Sequence, residues 1–244
     1  MKRTPSHKRS SFRSSDPFEN LSTEQLSYIG AIALLYNDVE ALVDTLCSLA
    51  LHITIRPQEL TSRINGMDGK IELIKLGARH WGFNASEMTL LEDLLGKGGF
   101  KLMKTWRDAV IHCQIVDAPT ALARVHERQG RVSDVLLSID ALKGFYNRLD
   151  LMRVELISMR DILSAKQMLQ REALKEFQFE LDDQDKEQLE RGIQLDWAQA
   201  QEHRSQRLKL PPIPEFPPDT PDPEWFQRLQ ESLAAVLPES AGLS

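Results

Sequence analysis

The chain has 244 residues, 41% of them hydrophobic and 7% aromatic, which is enough for one good core and, by length, one to two domains, but poor in aromatics for an all-β sandwich. Thirty Lys and Arg against 36 Asp and Glu give a formal charge of -6, which argues against a generally basic nucleic-acid coat protein and leaves room for a local basic cleft. Cys47 and Cys113 stand far apart, which excludes a CxxC metal site and a disulfide framework and makes a reducing cytoplasm the expected location.

Residues 1–20 are rich in Ser, Arg and Lys without apolar periodicity, and read as a disordered basic arm. They lack the apolar stretch of a secretory signal. Ser22-Thr23-Glu24-Gln25 is a capping box. The apolar spacing of three and four after it predicts a long helix over Leu26–Ile53. Its longest apolar run, Ile29–Tyr36, is far short of the roughly 20 residues of a membrane span, so no membrane association is expected. Pro57–Arg63 predicts a short helix ended by Asn65-Gly66. Met67–Trp81 predicts another, closed by Gly82, and Asn84 or Ser86 is placed to cap Glu87–Leu95. Gly96, Gly98 and Gly99 either interrupt or kink the helical pattern, which resumes at Phe100 and runs to about Val116, with Pro119 as its limit. Residues 121–137, with Gln129-Gly130 at their centre, read as a small β-hairpin. Ser138 caps a second long helix, Ile139 to about Leu181, and Asp182 or Asp185 restarts a helix to about Arg207. Ten acids against five bases over residues 155–190 suggest a solvated face. Eight of the 12 prolines fall between Pro211 and Pro238 and predict extended polyproline II. After them Pro223–Val236 suits an amphipathic helix with Trp225, Phe226, Leu229, Leu233 and Val236 on its apolar side. The expected architecture is therefore all-α: an up-down helical bundle over 21–176 with a small β-hairpin insertion, an acidic helical extension over 177–207 and a Pro-rich tail over 208–244.

No Walker A, GxGxxG, HExxH or GxSxG motif occurs. The informative window is Lys97–Val116, KGGFKLMKTWRDAVIHCQIV. At 100° per residue, Leu102, Met103, Trp106, Ala109, Val110 and Cys113 form a core side. Lys101, Lys104, Asp108 and His112 stack along the other, with Arg107 at its edge. Asp108 and His112 are an i, i+4 pair. Arg supplies a forked, permanently charged phosphate ligand and His a proton donor or acceptor near neutrality. Metal-free cleavage of an RNA phosphodiester needs those groups. A loose Arg-x4-to-x6-His match arises about once by chance in such a chain, so the weight rests on the amphipathic helix that carries it.

RDAVIH at 107–112 resembles the R-polar-x3-H motif of HEPN domains, which are small all-α bundles, many of them metal-independent endoribonucleases with a composite site in a dimer. Tyr36-Asn37-Asp38-Val39-Glu40 matches the aromatic-then-acid pattern of the family's long first helix, and a long helix follows the motif helix in both. The resemblance covers about 22–176. Where the family usually has Asn after the Arg, this chain has Asp108, which lowers the local positive charge. The resemblance implies His112 as general acid or base, Arg107 as phosphate ligand, Asp108 as the group that orients His112, and Tyr36 and Glu40 as supporting residues, with Glu40 orienting Arg107. Lys101, Lys104 and Lys70 are candidates for the RNA backbone. Phe100, Ile111 and Ile115 beside the polar stripe suggest a covered surface, where two motif helices of a homodimer would meet.

Each of these residues also has an ordinary reading: a lysine stripe is commonly a wet face, and Tyr36 and Glu40 commonly pack or hydrogen-bond between helices. No metal or other cofactor is expected, since His52, His80 and His126 show no ligand spacing, His203 is expected to be exposed on an acidic helix, and Asp182, Asp183 and Asp185 lack the closing residues of a calcium loop. The first functional expectation is a cytoplasmic endoribonuclease acting on RNA. The alternatives are a catalytically silent helical dimer serving as a protein-interaction module, and a toxin-type nuclease held by an antitoxin protein.

Overall fold

Ser22 starts the first helix in the way its neighbours dictate. Its hydroxyl accepts from the Gln25 amide at 3.2 Å, and the Gln25 side chain accepts from the Ser22 amide at 2.9 Å. The structure, a computed structural model, describes residues 21–52, 66–112, 121–126, 131–136, 138–175 and 180–211, without the side chains of Ala109, His112 and the two strands. These residues form α1 (Thr23–Ala50), α2 (Gly66–His80), α3 (Ala85–Leu95), α4 (Phe100–His112), β1 (Ala121–His126), β2 (Arg131–Leu136), α5 (Ile139–Ala173) and α6 (Asp183–Lys209). The helical character expected from the periodicity is present throughout the core. The strands pair antiparallel, with Ala121 opposite Leu136 and His126 opposite Arg131. The basic arm, the Pro57–Arg63 helix, the motif helix beyond His112 with Ile115, and the tail after Pro211 lie outside the described residues.

Two boundaries differ from expectation, each for a backbone reason. α1 stops at Ala50, not Ile53: Leu51 caps it and His52 turns the chain at φ 52°. α5 stops at Ala173, well before Leu181, because Leu174 caps it and Lys175 adopts φ 56°. The glycines after Leu95 interrupt the helix and do not merely kink it. The Gly99 amide bonds the Gly96 carbonyl at 3.1 Å, and a Cβ on Gly99 would strike the Leu94 carbonyl oxygen. Gly82 closes α2 at φ 78°, a conformation that glycine adopts without strain.

The core lies between α1 and α5, which run parallel. Near their N-terminal ends Tyr28 meets Tyr146 with ring centroids 6.3 Å apart, and near their C-terminal ends Gln167 donates to the Leu49 carbonyl. Ile32, Val39, Val43 and Leu46 of α1 and Leu149, Met152, Leu156 and Met159 of α5 are buried between them. Each such side chain contributes about 1.5–3 kcal/mol. By length and composition α1 is the one described helix apolar enough to cross a membrane; here its buried side builds this core.

The acid-rich segment after α5 is not a free extension. α6 folds back antiparallel to α5, with Lys186 on Glu172 at 2.8 Å near the turn and Arg207 on Glu155 at the far end. The Arg207 fork donates to both Glu155 oxygens, at 2.6 and 3.1 Å, and reaches Asp93 of α3 at 3.1 Å. Arg204 donates to the same Asp93 at 3.0 Å. Glu155 and Arg207 are almost wholly buried. Just beyond α6, Arg148 of α5 donates to the carbonyls of Leu210 and Pro211 at 3.2 and 2.8 Å.

Candidate functional site

α4 follows the glycine turn and lies against α1, and its buried side is Phe100, Met103, Trp106 and Val110. This spacing turns Arg107 toward Tyr36 of α1. The guanidinium sits over the Tyr36 ring, 4.9 Å from its centroid, a distance at which the ring face attracts a cation. The same ring stacks on Phe100, with centroids 5.7 Å apart and planes 15° apart. Arg107 Nη1 also donates to Asp108 Oδ1 at 2.8 Å, and Lys104 Nζ donates to Asp108 Oδ2 at 2.8 Å. The Arg107 side chain keeps 26% of its surface exposed. It is thus a cation held in place by a ring and a carboxylate, with part of its surface open.

Partial burial alone would raise the Asp108 pKa, but the hydrogen bonds from Lys104 and Arg107 outweigh it and hold the carboxyl below its ordinary range. Burial pushes the Tyr36 phenol far above its usual value, Glu40 pushes in the same direction, and Arg107 opposes them only in part. The phenol therefore stays protonated. Its buried hydroxyl has no hydrogen-bond partner among the described residues.

The expected site residues are only partly brought together. Arg107, Asp108, Lys104 and Tyr36 form one cluster. Asp108 accepts from Arg107 on one oxygen and from Lys104 on the other; its expected contact with His112 rests on a side chain outside the described residues. Glu40, expected to orient Arg107, acts electrostatically on Tyr36, and the ion-pair partner of Arg107 among the described residues is Asp108. His112 is the last residue of α4, and its side chain is outside the description. Lys101 is paired with Asp68 of α2. Lys70 is paired with Asp44 of α1 at 2.6 Å and is mostly buried. Phe100, expected at a dimer interface, is wholly buried beneath Tyr36. Ile111, expected there too, is half-buried and packs against the core.

Phe100 is the floor of the Tyr36–Arg107 pair and not an interface residue. The spacing Phe100-Met103-Trp106-Val110 was the signal that assigns it to the core. Among the described residues no group of three His, Cys, Asp or Glu side chains is placed to hold a metal ion. Comparison of the chain with family models, curated proteins and solved structures finds no match.

Proposed function

We propose that the protein is a metal-independent endoribonuclease of HEPN type. The observation that carries this reading is the fixed Arg107 guanidinium, held between the Tyr36 ring and Asp108 and partly open to solvent. His112 stands five residues further along the same helix, about 7.5 Å along its axis. A preorganised guanidinium is suited to the charge that builds on a phosphate in a transition state.

In the reaction, a base takes the ribose 2′-hydroxyl proton and the oxygen attacks the adjacent phosphorus. The P–O5′ bond breaks, and an acid gives the departing oxygen a proton. The products are a 2′,3′-cyclic phosphate and a 5′-hydroxyl. His112 fills one of the two proton-transfer roles, and in a homodimer the two copies of His112 divide them. Arg107 binds the phosphate, with Lys104 and Lys101 beside it. Incubating the purified protein with RNA in EDTA and analysing the new ends tests this chemistry. Cyclic phosphate ends support it, while 3′-hydroxyl ends or a requirement for added metal exclude it.

A second reading, a catalytically silent interaction module, is favoured by one observation: each of the four Lys and Arg side chains expected at the site already faces an acid. Lys101 pairs with Asp68, Lys70 with Asp44, and both Lys104 and Arg107 with Asp108. No cleavage above background by protein of verified fold would support that reading.

A further inference from the structure

α6 is tied to the bundle by charge more than by apolar burial. Of its residues only Ala200 and Arg207 are buried, and Ile193 and Trp197 pack partly on the core. Its inner side recurs at spacings of three and four from Lys186 to Arg207, with Asp196 and His203 among the apolar positions. The α5 side of the seam is polar as well, since Arg148, Glu155 and Ser158 are buried there. Polar residues in such a seam fix register and direction at a cost in stability. The ion pairs run from Lys186 to Glu172, from Arg204 to Asp93, and from Arg207 to Asp93 and Glu155. All of them join α6 to α5 or α3, so the α6 of another copy would make them equally well.

The turn that folds α6 back is made against the local sequence. The segment after α5, LKEFQFELD from Leu174 to Asp182, holds neither Gly nor Pro, and its Leu174, Phe177 and Leu181 keep the helical spacing. α5 nevertheless stops at Ala173, because Lys175 takes φ 56°. That is the left-handed region, disfavoured for a residue with a Cβ. With Lys175 in helical backbone, α5 lengthens and α6 points away from its own α5. The α5 seam is then open to the α6 of a second copy. Reciprocal exchange remakes every ion pair named above and relieves one left-handed lysine in each chain. Exchange of an identical element is a low-cost route to a dimer, and a short hinge under strain favours it.

We propose that the protein forms a dimer by exchanging α6, so that the α6 of each copy docks on the α5 of the other with Lys175 as the hinge. The experiment mixes two full-length chains at high concentration, both carrying Cys113→Ser. One also carries Glu172→Cys and the other Lys186→Cys, the two positions of an ion pair 2.8 Å long. The native Cys47 is buried. After incubation the mixture is mildly oxidised and the products are resolved by mass. A control replaces Lys186→Cys by Leu195→Cys, where the side chain is 66% exposed on α6. The expected result is a disulfide-linked pair of unlike chains that forms about ten times faster with position 186 than with position 195. Glycine accepts the left-handed turn without strain, so Lys175→Gly in both chains favours the closed hairpin and is expected to lower the yield about tenfold. Equal rates from positions 186 and 195, or no linked pair at all, would show that α6 stays on its own chain and overturn the proposal. A yield unchanged by Lys175→Gly would overturn it too, by removing the hinge.

Discussion

Arg107 is the residue on which the proposed chemistry and the packing meet. Its guanidinium is placed by two contacts of different kinds, the Tyr36 ring and the Asp108 carboxylate. The ring contact survives loss of the phenol oxygen, and that oxygen is buried without a partner. Tyr36→Phe is therefore expected to leave thermal stability unchanged or raise it by up to about 1 kcal/mol, because it removes an unsatisfied polar atom. Tyr36→Ala, which also removes the stack on Phe100, is expected to cost about 3–5 kcal/mol. Urea unfolding of the two variants measures both. Asp108 adds a pH signature. Its pKa in the folded chain lies below that in the unfolded chain, so between the two values the unfolded chain binds more protons. Its contribution to stability is present above the ordinary carboxylate value of about 4 and is lost as the pH falls through the lower folded value. Asp108→Asn is expected to flatten the acid limb of a plot of unfolding midpoint against pH. An acid limb of unchanged slope would mean that the bonds from Lys104 and Arg107 contribute nothing to folding. Position 107 was legible in the sequence because a polar residue at the edge of an amphipathic helix has few places to go. Its partner Tyr36 lies 71 residues earlier; the resemblance names it as a supporting residue, whereas periodicity alone does not indicate that its ring meets the guanidinium.

At the scale of elements, what the sequence made legible is local chemistry. The capping box at Ser22–Gln25, the choice of Asn84 or Ser86 as a cap, which the structure resolves to Asn84, and the Gly82 stop place helix starts and ends within a few residues, because caps act over one turn. The fate of α6 was not legible. Asp182–Arg207 reads as one more charged, solvated helix, and its Arg207 looks like any other exposed cation. The pairing that buries it runs to Glu155, 52 residues away. Arg207→Ala leaves Glu155 buried without its cation and is expected to cost about 3–5 kcal/mol, whereas Arg207→Met with Glu155→Leu is expected to stay close to the parent stability. Chemical denaturation of the single and double variants decides this; equal losses would show that the pair acts through shape and not charge. Gly77 illustrates a second constraint invisible to periodicity. A Cβ there would collide with Ala50 of α1, including its carbonyl oxygen. Although Ala favours helix over Gly by up to about 1 kcal/mol, Gly77→Ala is expected to destabilise by about 1–3 kcal/mol through overpacking, measured by the same denaturation.

For the whole molecule, the folded unit runs further than the bundle expected over 21–176. α6 closes over α5 and α3, and the Leu210 and Pro211 carbonyls both accept from Nη2 of the buried Arg148. A chain ending at Pro211 is expected to keep one cooperative thermal transition. A chain ending at Arg207 deprives Arg148 of both acceptors, a loss of about 1–3 kcal/mol, and is expected to melt several degrees lower, at about 2–4 °C per kcal/mol for a chain of this size. Helix order and the motif helix were readable because periodicity is local. The parallel pairing of α1 with α5 was not, since it joins segments more than 100 residues apart. The central claim is that Arg107 and His112 serve one RNA-cleaving site, and it is tested most directly by one rate comparison. Wild type, Arg107→Ala and His112→Ala, each with unchanged circular dichroism, are incubated with the same RNA in EDTA. Cleavage by wild type that falls by at least about a hundredfold in both variants is the predicted result. Equal cleavage by wild type and His112→Ala, or no cleavage by wild type above background, would contradict it.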